Sequence, residues 1–236
     1  MGVYRRLPSE RETYAGHAQE YEALISREDD AGNILRTLRE IAPIEGRVIV
    51  DLGAGTGRLA CLLAPYARTV LAFDLSRHML SLARDKLRGG SQAGWLVGAA
   101  DHRFVPLNSA SADLIVAGWS VSYVAVWHPE QWRAELAAWY TEACRLLRPG
   151  GHIILFESLG TGNELPQRLP HLLEFYAWLD ETGFRFKWIR TDYRFENPEI
   201  AADLAGFFFG EELRRKIESQ RLTILPECTG VLWIQP

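Results

Sequence analysis

Val48-Ile49-Val50-Asp51-Leu52-Gly53-Ala54-Gly55-Thr56-Gly57-Arg58 is the stretch on which the fold turns. An aliphatic run broken only by one acid reads as a buried strand. It feeds three glycines at alternate positions, and Leu59, Leu62 and Leu63 follow at helix spacing. Glycine in such a turn permits φ > 0 and lets a ligand approach the backbone, while the helix N-terminus behind it presents N–H groups to negative charge. A dinucleotide fingerprint would read G-x-G-x-x-G. Here the sixth position is Arg58 and the third glycine comes one residue early, at Gly57, which disfavours a nicotinamide oxidoreductase. Asp51 at the strand end would repel a pyrophosphate and suits a cationic ligand held through the loop.

Outward from this loop, short β-branched or aliphatic runs alternate with helical patterns, the signature of βαβ units around a parallel sheet. The strands read as Val48–Leu52, Val70–Phe73, Trp95–Val97, Leu114–Ala117 and Ile153–Phe156. Met79, Leu80, Ala83 and Leu87 mark a second helix, and Trp132, Leu136, Trp139, Ala143 and Leu146 a third. Pro129 reads as the third helix's first-turn proline and Arg148-Pro149-Gly150-Gly151 as its stop. Trp127, Trp132 and Trp139 read as core. Residues 18–42 suit one or two helices laid over the sheet, and Leu169–Asp180 another. Phe184–Phe195 and Thr229–Ile234 read as strands paired antiparallel at the sheet edge. Asn197-Pro198-Glu199 is an N-cap followed by a first-turn proline, opening a helix that ends near Gly210, and Glu211–Arg221 a further charged helix.

Length and composition bound the rest. A chain of 236 residues with 47% hydrophobic and 24% charged residues can bury one large core. Lys+Arg 26 against Asp+Glu 30 gives a net charge of −4, which argues against a generic polyanion binder. Cys61, Cys144 and Cys228 are widely spaced without a C-x-x-C pair, so neither a disulfide scaffold nor a metal site is expected. Leu114 to Trp119 is strand-sized, far short of the roughly 20 residues a membrane crossing takes. The N-terminus shows no secretory signal pattern, and Arg6 stands where a myristoylation motif wants Ser or Thr; a cytoplasmic protein is expected.

Asp-x-Gly-x-Gly-x-Gly resembles the nucleotide loop of class I S-adenosylmethionine (SAM)-dependent methyltransferases, and the resemblance runs over roughly residues 48–157. Asp74, 23 residues after Asp51 in Leu71-Ala72-Phe73-Asp74-Leu75-Ser76, matches the family's ribose-binding acid. Leu75 and Met79 match positions that flank the adenine. Gly98-Ala99-Ala100-Asp101-His102 is similar to the adenine-contacting turn. Phe104-Val105-Pro106-Leu107 with Ser111-Ala112-Asp113-Leu114-Ile115 resembles the lead-in to the fourth strand, and Leu146-Leu147-Arg148-Pro149-Gly150-Gly151-His152 the turn before the fifth. The resemblance implies a Rossmann-like, doubly wound, mostly parallel seven-stranded α/β sheet with an antiparallel edge strand and a helical lid insert. One domain is expected over 1–236, with an N-terminal helical cap at 1–45, a SAM-binding core at 46–158, and acceptor-side and C-terminal strands at 159–236 carrying an insert at 197–221.

The donor would then be held by Asp51, Gly53, Ala54, Gly55, Asp74, Leu75, Met79, Asp101, His102 and Trp119. Tyr14 and Tyr21 resemble an N-terminal Tyr that caps the methionine end, although Tyr21 suits core packing equally. Acceptor residues would come from segments after the fourth and fifth strands and from the insert. Trp119, Tyr123 and Phe207-Phe208-Phe209 can wall an apolar pocket or serve as ordinary core. In-line displacement at a sulfonium makes a base optional; the candidates are Glu157, His128, Tyr123 and, behind them, His17. The expected partner is a small-molecule methyl acceptor, without nucleic acid or membrane, for a monomer or homodimer of the small-molecule methyltransferase type. A second reading takes Arg185, Lys187, Arg190 and Arg194, with Arg214, Arg215, Lys216 and Arg221, as a face for RNA or a nucleotide; Glu211, Glu212 and Glu218 interleave with the second group. A third is a protein that binds SAM without transferring its methyl group.

Overall fold

The computed structural model describes residues 16–90, 94–127 and 129–236. Two helices, α1 (Ala18–Ile25) and α2 (Asn33–Ile41), precede β1 (Val48–Leu52). There follow α3 (Arg58–Leu63), β2 (Thr69–Asp74), α4 (Arg77–Gly90), β3 (Gly94–Ala99), β4 (Ala112–Gly118), α5 (Ser122–Trp127), α6 (Trp132–Leu146) and β5 (Leu147–Thr161). The C-terminal part adds α7 (Leu173–Thr182), β6 (Arg185–Arg190), β7 (Tyr193–Arg194), α8 (Pro198–Phe209), α9 (Glu211–Gln220), β8 (Ile224–Leu225) and β9 (Glu227–Ile234).

Seven strands form one sheet in the order β3-β2-β1-β4-β5-β9-β6. The first five run parallel; β9 runs against them, and β6 pairs antiparallel with β9 at the edge. All five residues of β1 are buried, as a central parallel strand covered on both faces requires. One face packs under α6 and α7 around Trp139, Phe175, Tyr176 and Phe184; the other packs under α2 and α3 around Ile34, Leu38, Leu63 and Phe156. Each such fully buried side chain contributes about 1.5–3 kcal/mol. A third cluster, with Leu24, Tyr193, Ala201, Ala205 and Ile217, joins α1 to α8 and α9 beside the sheet. Asn197 caps α8 by accepting from Ile200 N at 2.8 Å, with Pro198 in the first turn.

The structure departs from the sequence reading in several places, among them the fifth strand, which runs Leu147–Thr161 and takes in the expected turn Arg148-Pro149-Gly150-Gly151. The strand expected over 184–195 breaks after Arg190: the Asp192 carboxylate takes the N–H of Glu227 at 3.0 Å, which ends the ladder and sends Tyr193–Arg194 off to pair with β8. Helix α6 begins at Trp132, with Pro129 and Glu130 in the turn before it. Of the three tryptophans read as core, Trp139 is fully buried and Trp132 packs partly against it, whereas Trp127 lines a groove.

Because the strand order reverses between β1 and β4, the loops leaving their carboxyl ends diverge and open a crevice there. Asp51, Asp74, Ala100, Gly118 and Trp119 all stand at its rim or floor.

Candidate active site

The three loop glycines have φ of +78°, +54° and +81°, yet they serve different purposes. A Cβ on Gly53 would lie 2.5 Å from Ser120 Cβ, and one on Gly57 2.8 Å from Ala83 Cβ, so these two let the loop close onto the end of β4 and onto α4. A Cβ on Gly55 would meet nothing within 4 Å. It points into the crevice, where a ligand can lie against bare backbone. The loop is pinned by the N–H groups of Gly53 and Ala54, both donating to Phe73 O.

Two acids face this groove with different hydrogen-bond partners. Asp74 accepts from Gly55 N at 2.9 Å and Ser76 N at 2.7 Å, which fixes the carboxylate against the loop and leaves lone pairs for a vicinal diol. Burial pushes its pKa up, against those two bonds. Asp51, 1% exposed, accepts from Ala60 N at 3.0 Å through Oδ2, while Oδ1 has no partner among the described residues. Burial, aided by the charge of Asp74, pushes Asp51 up to about 7. His102 also lines the groove, and burial lowers its pKa to about 4, so at neutral pH it presents an uncharged ring. Leu75, Ala54, Trp119 and Tyr21 complete the expected set that reaches the groove.

Two expected donor contacts do not reach the groove. The Asp101 carboxylate is clamped by Arg103, through its backbone N–H at 2.9 Å and its guanidinium Nε at 2.8 Å, and only its neighbours Ala100 and His102 reach the groove. Met79 is wholly buried behind it in α4. Tyr14 lies outside the described residues.

A second chamber opens beside the groove, sharing Tyr21, Ile25, Arg58, Trp119 and Tyr123 with it. Its volume is about 230 Å³, and Phe207, Phe208, Phe209 and Tyr193 add to its wall. Helices α1 and α8 meet over it, with His17 edge-on to Phe207 at 5.5 Å and Tyr21 edge-on to Phe208 at 6.0 Å. Burial raises the Tyr21 hydroxyl to about 12, so it stays protonated. Charged groups sit among these rings: Arg58 Nη1 donates to Glu28 Oε2 at 2.6 Å, its guanidinium lies 4.1 Å above the Trp119 ring, and Glu227 is buried nearby. The sequence offered no signal for Glu28 and Glu227. They are remote in the chain, belong to no motif, and meet only because β9 inserts between β5 and β6.

Of the candidate bases, Glu157 does not reach either cavity. It is 2% exposed and accepts from Ser122 N at 3.0 Å and Ser122 Oγ at 2.7 Å, holding the start of α5. Burial pushes it up to about 7. The sequence reading ended the fifth strand at Phe156 and so placed Glu157 beyond it, facing the acceptor; β5 in fact runs on to Thr161, and the Glu157 side chain lies under α5 and carries Tyr123 and Trp127 into place. Tyr123 borders both cavities and stacks on Trp127 at 5.0 Å. His128 lies outside the described residues.

An open glycine cradle, an anchored acid at the next strand end and an uncharged imidazole in the same groove are compatible in shape and chemistry with the ribose and adenine of SAM. Residues 50–155 match the family model described as Methyltransferase domain. The chain is 32% identical over 207 residues to the biotin biosynthesis bifunctional protein BioHC of Saccharophagus degradans, covering 87% of this chain and 34% of that one. It is 30% identical to a malonyl-[acyl-carrier protein] O-methyltransferase of Methylococcus capsulatus (65% and 54% covered) and 32% identical to a demethylmenaquinone methyltransferase of Clavibacter sepedonicus (51% and 45% covered). It thus spans about a third to a half of the length of these relatives. A SAM-dependent methyltransferase of Aquifex aeolicus has the same fold, with a TM-score of 0.55 at 16% identity over 87% of this chain and 93% of that one.

Proposed function

We propose that this chain transfers the methyl group of SAM to a small, partly apolar or aromatic metabolite held in the second chamber, releasing S-adenosylhomocysteine. The observation that carries the reading is the continuity of the donor groove with an aromatic-walled cavity closed over by α1 and α8. When bound, SAM supplies an activated methyl group on a cationic sulfur, and the chain's residues need to align and dehydrate the exchange. Asp74 and the Gly55 backbone hold the nucleoside end, with His102 and Leu75 beside the base. Tyr21, Trp119 and Tyr123 stand at the junction and keep water from it. Glu157 acts only through α5.

The basic segments support a small acceptor rather than nucleic acid. Lys187 is paired with Glu40 at 2.6 Å, Arg190 with Asp192 and Glu164, Arg194 with Asp30, and Arg214 with Asp203. Cations already neutralised by acids make a poor phosphate track. Among the described residues no helix is long and apolar enough to cross a membrane, and no cluster of three or more His, Cys, Asp or Glu could hold a metal.

Calorimetric titration with S-adenosylhomocysteine and with NAD(H), followed by incubation of tritiated-methyl SAM with fractionated metabolites, tests the proposal. Label in a small-molecule fraction is expected. Label only in RNA or protein overturns the acceptor class, and SAM binding without turnover favours a sensor.

A further inference from the structure

Glu227, the first residue of β9, is 2% exposed and lines the chamber together with Ser158, Tyr193 and Phe208. The Ser158 hydroxyl donates to its Oε1 at 2.7 Å, and the Thr161 hydroxyl also hydrogen-bonds the carboxyl group. Oε2 has no hydrogen-bond partner among the described residues. A buried carboxyl oxygen left unpartnered is costly, and its persistence in a cavity wall marks a place for a ligand donor.

The groups around it decide what that donor is. Glu28, from the turn after α1, adds negative charge; Arg58 on α3 is committed to Glu28; the buried Tyr193 hydroxyl of β7 also stands near, and Asp192 receives the backbone N–H of Glu227. Burial and the charge of Glu28 push Glu227 well above the usual carboxylate range, against the hydrogen bonds of the Thr161 and Ser158 hydroxyls and, less, the charge of Arg58. A carboxyl group so raised titrates near working pH, where a proton acceptor is most effective. A cavity of about 230 Å³ walled by aromatic rings has room for one substituted ring, since an apolar cavity of about 150 Å³ already holds benzene. Arg58 Nη2 is likewise unpaired, so a carboxylate is the competing occupant; it would have to sit against both Glu28 and Glu227.

Resting on methyl transfer as proposed above, we propose that Glu227 is the proton acceptor for a single-ring hydroxyl substrate. The ring oxygen forms its bond to the methyl carbon while the carbon–sulfur bond breaks, its electron pair going to sulfur. The hydroxyl proton passes to Glu227 Oε2, leaving a neutral carboxyl group, a methyl ether and S-adenosylhomocysteine.

The test uses the full chain with p-cresol and catechol as hydroxyl probes and the malonic half-thioester of N-acetylcysteamine as the carboxylate probe. S-adenosylhomocysteine binding is measured first, in wild type, Glu227→Gln and Glu227→Asp, with thermal unfolding of each. The phenols are then titrated into the loaded proteins, and methyl transfer from labelled SAM to all three probes is followed between pH 6 and 10. Expected are equal S-adenosylhomocysteine affinities within twofold, phenol binding and methylation by wild type, and kcat/KM rising tenfold per pH unit before levelling. Glu227→Gln, folded, should lose about 10²–10⁴-fold in kcat and the pH dependence with it, while Glu227→Asp recovers part. A Gln variant that keeps the rate and the pH profile, a loaded wild type that refuses both phenols, or methylation of the half-thioester alone overturns the proposal. Failure to bind S-adenosylhomocysteine is seen before any acceptor is added and overturns the donor reading beneath it.

Discussion

Replacing Glu157 by Gln separates two roles that this carboxyl group in β5 can play. The side chain is buried, its two acceptor oxygens are used by Ser122 N and Ser122 Oγ, and its pKa is about 7 against an ordinary 4.5. Because the folded value lies above the unfolded one, the folded state holds the proton more tightly. This group's favourable contribution is fully present below about pH 4.5 and is lost as pH climbs through 7. At about 1.4 kcal/mol per pH unit, the loss approaches about 3 kcal/mol by pH 8. Glutamine is uncharged, keeps an acceptor for Ser122 N and can donate to the Ser122 hydroxyl, which rotates to suit. Glu157→Gln should therefore match wild type near pH 4.5 and exceed it by up to about 3 kcal/mol at pH 8 in urea unfolding with an unchanged m-value. Methyl transfer should persist, since α5 stays anchored, whereas Glu157→Ala should disturb Tyr123 and Trp127 and lower turnover. Parallel stability curves for Gln and wild type across this range would refute the burial argument; a Gln variant that is stable yet inactive would restore Glu157 as a base.

Asp74→Ala should weaken S-adenosylhomocysteine by roughly tenfold to a hundredfold in calorimetry, the loss of charge-assisted bonds worth about 1.5–3 kcal/mol, while the protein stays folded. Normal affinity in the folded variant refutes the ribose assignment. Gly55→Val should abolish donor binding, because its side chain fills the cradle and φ of +54° strains a β-branched residue; detectable binding in an affinity titration counts against the cradle. Phe208→Ala should raise the acceptor's apparent KM and leave donor affinity within a few-fold; the reverse pattern in steady-state kinetics would move the acceptor out of the chamber.

What the sequence displayed was what is local. The loop 51–57, Asp74 and the run of buried strands are short-range patterns whose physical demands (positive φ, a strand-end acid, continuous aliphatic runs) are written in adjacent residues. What it hid depends on distant segments. Glu157 stood just beyond the expected end of the fifth strand, on the acceptor side, but which way its side chain turns was set by Ser122, 35 positions earlier. Asp101 is the local exception: it was placed by motif, and Arg103, only two residues on, captured it. Glu28 and Glu227 meet only through the antiparallel insertion of β9, which no period in the chain announces. The Phe207–Phe209 run was open between core and pocket because helical spacing serves both; contact with α1 decided it.

Trp119 shows how the two cavities are tied together. Its φ of +49° is a costly conformation for a bulky residue, and three contacts hold it there. Its N–H donates to Phe156 O at 2.7 Å, its ring stacks on Phe156 at 5.9 Å, and Arg58 covers the ring at 4.1 Å. Arg58 follows directly on the last loop glycine and is itself fixed by Glu28. The wall between donor groove and acceptor chamber is therefore held jointly by the glycine loop, by β5 and by the segment after α1. Arg58 stands three peptide bonds from Gly55 and touches both the indole of Trp119 and the carboxylate of Glu28. The strain at Trp119 is what places an aromatic wall at that junction, where a residue in ordinary extended backbone would carry its side chain elsewhere.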